Sequence, residues 1–326
     1  MIINNEIYID KINIKTILLL KNINQLIHEN LFNYNFDIQN ICNISNPVLN
    51  ISLSCNSTYF HFIANTLPYL ITYMNNNPEY NFEIYIETNK FNYILDLLFD
   101  YKFKINSQDQ IIKCDNLIIP KIFDFNNQFG WNKYNITNNQ DIYNFVPEQL
   151  ILTRNYILNK LQITKNKDLR LFIVRDTNFR KSTFIENKKL IEIFENLNFK
   201  FISLDNIDFK EQIDIFYNAE IVISEPGSCC ANIMFMRENT NYIIITKNCK
   251  YTSNNFFPTF AEIFKVNCYN LLTKPKYNIN DEELNINNFN HIKNIGLSNH
   301  PMNSTTIINE QILIELENYV KQIIIK

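Results

Sequence analysis

The chain has 326 residues, 46% of them apolar, so it is far from a disordered composition and long enough for two cores. A net charge of −3 argues against a dedicated nucleic-acid binder, which would carry a basic face. Glycine occurs only three times, and arginine supplies five of the 30 basic residues, so positions that keep either residue stand out.

Residues 1–50 read as a short α/β or β-rich lead-in. Ile17–Leu20 is much shorter than the roughly 20 apolar residues needed to cross a bilayer, and Met1–Lys21 lacks the pattern of a secretory leader. Phe62, Ile63, Leu67, Leu70 and Ile71 predict a helix over 59–74, with Pro68 at a kink or near its start. Phe82–Ile86 alternates as a strand does. Phe91, Ile94, Leu95, Leu97 and Leu98 form a helical face, and Asn116–Pro120 is the next strand. The polar, Asn-rich stretch 125–145, with Gly130 and Trp131, is the linker candidate. A helix from Pro147 to Leu161 is expected to open a second domain, giving domains at 1–145 and 146–326.

The second half repeats a strand–helix rhythm. Leu171–Val174 is a strand, Leu190, Ile193, Phe194 and Leu197 mark a helix, and Phe199–Leu204 is the next strand. Asp208 with Glu211 forms a capping box for a helix whose apolar face is Phe209, Ile213, Phe216 and Tyr217. Ile221–Ile223 is a third strand, followed by the small-residue turn Ser224–Asn232. Asn241–Thr246 is a further strand, and Asn309–Ile325 an amphipathic terminal helix. The expected fold class is α/β, with a nucleotide bound at the carboxyl ends of the strands.

Seven cysteines show no C-x-x-C pair and no histidine at zinc-ligand spacing, so no metal site is expected. An odd number without a framework suits a reducing compartment, and the expected location is cytoplasmic. Sequons such as those at Asn43, Asn56 and Asn303 follow from the abundance of asparagine.

Arg175, Arg180 and Lys181 cluster after the strand that ends at Val174. Guanidinium matches phosphate oxygens in a bidentate way that lysine does not, so these three are candidate diphosphate ligands. The alternative at Arg175 is a surface ion pair with Asp176 or Glu186. Gly227 and Ser228 stand where a helix would begin, and such a turn offers backbone N–H groups to an anion; the glycine points to close backbone approach or a positive φ. Cys229 and Cys230 are expected to be small core residues. No G-x-G-x-x-G occurs, which argues against a dinucleotide-dependent dehydrogenase.

Four blocks in order carry a family resemblance. His61-Phe62-Ile63-Ala64-Asn65-Thr66-Leu67-Pro68-Tyr69-Leu70 resembles H-W-x-x-(D/E)-x-L-P-R-L. Val174-Arg175 with Arg180-Lys181 resembles S-R-x-x-x-x-R-R. Glu211-Gln212, Phe216 and Ala219 resemble E-Q-x-x-x-F-x-x-A, and Gly227-Ser228, Asn232 and Phe235 resemble P-H-G-A-G-x-x-N-x-x-F. Together these resemble glycosyltransferase family 61 over roughly residues 55 to 270. The resemblance implies two Rossmann-like domains facing a cleft, the GT-B architecture. It also implies transfer of a sugar from a nucleotide-sugar donor, a UDP-sugar first, to a glycan or glycoprotein acceptor with inversion.

Such transfer neutralises a leaving diphosphate and deprotonates an acceptor hydroxyl. No D-x-D pair exists in the chain to hold a metal on the diphosphate, so metal-independent transfer without a cofactor is expected. The donor side is assigned Arg175, Arg180, Lys181, Gly227, Ser228 and Asn232, with His61 and Glu225 as catalytic candidates and Asn65 and Tyr69 on the acceptor side. Asn65, Tyr69 and Pro226 depart from the family pattern. They open a second reading, a relative that binds nucleotide or glycan without turning it over.

Overall fold

A computed structural model describes residues 2–3, 6–9, 41–51, 58–79, 81–86, 89–99, 105–107, 111–114, 116–118, 145–175, 187–247, 256–273 and 310–325. Arg180, Lys181, the linker candidate with Gly130 and Trp131, and the run Ile17–Leu20 lie outside these residues. The fold is mixed α/β with parallel sheets. Its contacts divide into two units, and the boundary in the described chain falls after Leu161.

In the first unit, strands β1 (Ile2–Ile3), β2 (Glu6–Ile9) and β3 (Ile41–Ile44) belong to a small mixed sheet completed by β7 (Ile111–Cys114), in the order β1-β2-β7-β3. A second, wholly parallel sheet contains β4 (Val48–Asn50), β5 (Glu83–Ile86), β6 (Ile105–Ser107) and β8 (Leu117–Ile118), ordered β6-β5-β4-β8. Counted by appearance in that sheet, the order is 3-2-1-4, so the direction of winding reverses between β4 and β8. All four residues of β5 are buried, as a central strand of a covered parallel sheet requires, although its sequence alternates.

Between β4 and β5 runs helix α1 (59–76), assembled from the α-turn Tyr59–His61, the π-helical segment Phe62–Thr66 and the α-helix Leu67–Asn76. Within it, Leu67 N–H reaches back to Phe62 O, an i→i+5 bond. The wide turn sits directly ahead of Pro68, whose ring would press on a carbonyl one turn earlier in a regular α-helix. Helix α2 (Asn92–Phe99) buries Ile94, Leu95, Leu98 and Phe99, but Leu97, expected on that face, is exposed. Helix α3 (Pro147–Leu161), expected to open the second domain, packs within the first unit: Tyr156 lies against Phe99 and donates to Leu98 O at 3.3 Å.

The second unit is built on one parallel sheet of five strands. These are β9 (Leu169–Val174), β10 (Phe199–Ser203), β11 (Ala219–Ser224), β12 (Asn241–Lys247) and β13 (Asn267–Thr273), ordered β10-β9-β11-β12-β13. Counted by appearance this is 2-1-3-4-5, and the winding reverses between β9 and β11. Helix α4 (Lys188–Asn196) is capped by Asn187, whose side chain accepts from Leu190 N–H at 3.1 Å. Helix α5 (Phe209–Tyr217) is capped by Asp208, which accepts from Glu211 N–H at 2.8 Å, the N-cap half of the predicted capping box. The helix expected after Gly227 is a 3-10 helix, Ser228–Phe235; α6 (Phe256–Glu262) and β13 were not foreseen.

One face of the sheet presents Phe172, Ile221, Ile223, Ile243 and Ile245 to Leu190 and Phe194 of α4 and to Ile312, Leu313, Leu316 and Val320 of the terminal helix α7 (Glu310–Ile325). The alternate residues Leu171, Ile173, Val222 and Ile244 are buried as well, so the sheet is covered on both sides. Each fully buried Phe or Leu of this core stabilises the fold by about 1.5–3 kcal/mol in transfer terms. Val174, at the carboxyl end of β9, is the last residue of that strand in this core.

Candidate functional site

Ligands in open α/β sheets gather outside the carboxyl ends of the strands where the winding direction reverses. In the second unit that place is the end of β9 beside the end of β11. Arg175 follows β9 directly, and Glu225-Pro226-Gly227 follows β11. The parallel register pairs Phe172 with Ile223, which brings Arg175 level with the turn. Arg175 Nη2 donates to Pro226 O, and a Cβ added at Gly227 would fall on the same guanidinium. Gly227 has φ 172 and ψ −169, an extended backbone open to any residue. Its glycine is thus explained by close approach of a cation and not by a positive φ.

Described arginines elsewhere in this unit are engaged differently. Arg170 pairs with Glu220 at 2.5 Å and Arg237 with Asp168 at 2.7 Å, fastening strand starts and loops at the amino end of the sheet. Arg175 instead lies across a backbone turn. The first intrahelical bond after that turn runs from Cys230 N–H to Gly227 O at 3.0 Å, so Ser228 N–H precedes the helical ladder. A cation and a helix start are neighbours there, a combination suited to phosphate oxygens.

Beneath the turn is a buried polar layer. Ser224 Oγ donates to Glu225 O at 3.0 Å and shares a 2.8 Å hydrogen bond with Tyr242 Oη, which also reaches Cys230 Sγ at 3.7 Å. Burial pushes the Tyr242 hydroxyl and the Cys230 thiol well above their ordinary ranges. Cys229 differs: it is only partly buried, and interaction with the Cys230 thiol, followed by the charge of Arg175, lowers its thiol to about 7. Of the two cysteines expected in the core, Cys230 is buried and Cys229 is partly exposed.

Asn232, assigned to the donor, is fully buried, and its side-chain amide donates to Gln212 Oε1 at 3.3 Å. Gln212 Nε2 in turn donates to Ile207 O at 2.8 Å and Leu204 O at 3.3 Å. Phe209 and Phe235 meet edge to face nearby, with centroids 6.2 Å apart. The two sequence blocks that hold Gln212 and Asn232 thus fold against each other, and Asn232 positions the helix that carries Ser228.

In the first unit, α1 shows a second arrangement. From Phe60 to Ile71 every residue is buried except His61, Asn65 and Tyr69. These three recur every four residues, and the π-helical segment, with its longer repeat, keeps them on one stripe. His61 Nδ1 lies 3.0 Å from Asn65 Oδ1. An amide oxygen only accepts, so Nδ1 carries the proton and Nε2 is the basic nitrogen. Burial lowers the imidazole pKa, partly opposed by Asn65, which keeps the ring neutral near pH 7. Among the described residues no group of His, Cys, Asp or Glu has the geometry to hold a metal ion, and no helix is long and apolar enough to cross a membrane.

A family model described as Glycosyltransferase 61 matches residues 59–243, from the first residue of α1 into β12 and more than half of the chain. The chain belongs to glycosyltransferase family 61. A comparison with curated proteins finds none that matches. Membership makes the chain a glycosyltransferase in the general sense, with a sugar donor and a glycan acceptor. The match takes in both arrangements, the His61 stripe and the Arg175 turn. Sequence reasoning named most of the side chains in them; Gln212 was noted only as a family match, and Ser224 and Tyr242 were missed. The sole sequence signal for Tyr242 is a hydroxyl ahead of the apolar run Ile243–Ile245.

Proposed function

We propose that this family 61 glycosyltransferase moves a sugar from a nucleoside diphosphate donor, with uridine as the first base to test, onto a hydroxyl of a glycan or glycoprotein, with inversion and without a metal ion. The reading takes the chain as a GT-B enzyme in which the second unit binds the donor and the first serves the acceptor. The observation that carries it is Arg175 lying across the Gly227 turn at the reversal point of the five-stranded sheet.

In that reading Arg175 grips the diphosphate, Ser228 N–H and hydroxyl add donors, and Gly227 keeps the space open. Arg180 and Lys181, five and six positions further along the sequence, add charge. Glu225 accepts a hydroxyl of the ribose or the sugar. The acceptor oxygen attacks the anomeric carbon as the bond to the diphosphate breaks, and its proton passes to His61 Nε2. Asn65 holds the imidazole in the tautomer this needs, and Tyr69 extends the acceptor stripe. The absence of any D-x-D pair supports neutralisation of the leaving group by guanidinium and backbone N–H groups.

Thermal unfolding with UDP, GDP, TDP, ADP and CMP, on the wild type and Arg175→Ala, tests the donor half. A ligand at about 100 times its Kd adds roughly 2.7 kcal/mol, several degrees in Tm. One diphosphate should stabilise the wild type and leave the variant unmoved. Equal shifts in both proteins overturn the assignment of Arg175, and turnover that stops in excess chelator overturns metal independence.

A further inference from the structure

Strand β11 ends at Ser224, and three successive carbonyls beyond it each meet a different donor. Ser224 Oγ donates to Glu225 O at 3.0 Å, Arg175 Nη2 donates to Pro226 O, and Cys230 N–H donates to Gly227 O at 3.0 Å. A carbonyl only accepts, so the single hydroxyl proton of Ser224 is committed to Glu225 O. The proton in the 2.8 Å contact between Ser224 Oγ and Tyr242 Oη therefore comes from Tyr242. Both side chains are fully buried, and burial holds the Tyr242 hydroxyl in its protonated, donating form.

The strand register shows why a tyrosine makes this bond. Val222 pairs with Tyr242 and Ser224 with Ile244, so Ser224 lies two positions, about 6–7 Å, further along the sheet. A phenol is long enough to cover that diagonal on one face of the sheet. Fixing Glu225 O then fixes more than one atom. The Glu225–Pro226 peptide is planar and the proline ring locks the next φ, so only the ψ of Pro226 separates that plane from the carbonyl that meets Arg175.

We propose that Ser224 and Tyr242 are positioning residues: their hydrogen-bonded pair holds Glu225 O, orients the Pro226 carbonyl and so sets where the Arg175 guanidinium stands. Buried beneath the turn, they act through Arg175 and touch no ligand themselves. Their effect on donor binding rests on the proposed function; their effect on Arg175 does not.

The test reacts the full chain with phenylglyoxal, which condenses with guanidinium groups, and maps the labelled peptides. Arg237, paired with Asp168 at the amino end of the same sheet, is the internal reference. Ser224→Ala should raise labelling of Arg175 relative to Arg237 by about 2-fold to 10-fold, the factor carried by one hydrogen bond. Tyr242→Phe keeps the Ser224 bond but frees its hydroxyl to turn, so the rise should be smaller; this variant decides the matter if Ser224→Ala fails to fold. An unchanged ratio, or Arg175 and Arg237 rising together as in general loosening, overturns the positioning role. UDP titration of the same proteins then reads the consequence for the donor. Affinity weakened by a similar factor supports it. Faster labelling with unchanged UDP affinity keeps the placement of Arg175 and overturns its consequence for binding. A wild type that binds no nucleotide removes the donor reading, and the labelling ratio still decides how Arg175 is placed.

Discussion

The Arg175 guanidinium occupies the space that any side chain at position 227 would need, while its Nη2 donates to the carbonyl of Pro226. Gly227→Ala should therefore move the arginine off the turn and weaken nucleotide diphosphate binding. Loss of one hydrogen bond to a charged group corresponds to about 1.5–3 kcal/mol, or roughly 10-fold to 150-fold in Kd. Because the backbone at 227 is extended, stability should change by less than about 1 kcal/mol. Calorimetric titration beside thermal unfolding separates the two, and a variant that binds UDP as the wild type does would falsify the close-approach account.

Catalysis by His61 predicts a particular pH profile. Its imidazole is held below the usual value of about 6.5 by burial, so the acid limb of kcat/KM should lie below pH 6.5. Asn65→Leu removes the bond that raises this pKa and should shift the limb further to acid. His61→Ala should cut kcat by about 10²–10⁴. An acid limb at or above pH 6.5 identifies another group as the base.

The same shift bears on stability. Between the folded value and about 6.5 the unfolded chain binds the proton and the folded chain does not. The contribution of His61 is then full above about pH 6.5 and declines as pH falls through the window beneath it. Denaturation midpoints of wild type and His61→Gln should converge on acidification; a constant gap from pH 7.5 to 5 would show that His61 titrates as it does in an unfolded chain.

Asn232→Ala leaves Gln212 Oε1 without the amide that meets it inside the unit. Gln212 is only half-buried, so water can meet the freed oxygen, and the variant should lose about 0.5–1.5 kcal/mol, one ordinary hydrogen bond, in urea denaturation. If Asn232 contacts the donor instead, the damage appears in KM with stability kept.

Leu316 is fully buried where α7 closes one face of the five-stranded sheet. Leu316→Ala should destabilise the fold by about 2–5 kcal/mol. An unfolding midpoint equal to that of the wild type would mean that α7 does not cover the sheet in solution.

Much of this was legible in the residues. Periodicity located β9 and the strands at Phe199 and Ile221, the capping box placed the start of α5, and the order of four blocks pointed to the family. Arg175 and Gly227 were conspicuous because arginine and glycine are scarce in a chain rich in Lys, Asn and Ile, and His61 because it opens the first block of the family resemblance. Less was legible where local signals are shared. Leu97 fits a helical face by spacing yet points outward, since spacing marks a stripe and not its edges. A helix was expected after Gly227, but a strand–turn–small-residue pattern does not say whether its ladder is i→i+4 or i→i+3.

The sequence by itself determined the α/β class, the positions of the principal strands and helices, and the residue types available for phosphate and proton chemistry. These follow from periodicity, capping and side-chain character, which act over a few residues. Tertiary structure alone decided the strand orders and the two points where winding reverses. It also turned Asn232 inward onto Gln212, set a cation rather than a positive φ against Gly227, and buried Cys230 while leaving Cys229 partly exposed. The physical reason is distance along the chain. Arg175 and Pro226 are 51 residues apart, and the field, burial and spare volume at each arise only when the sheet brings them together.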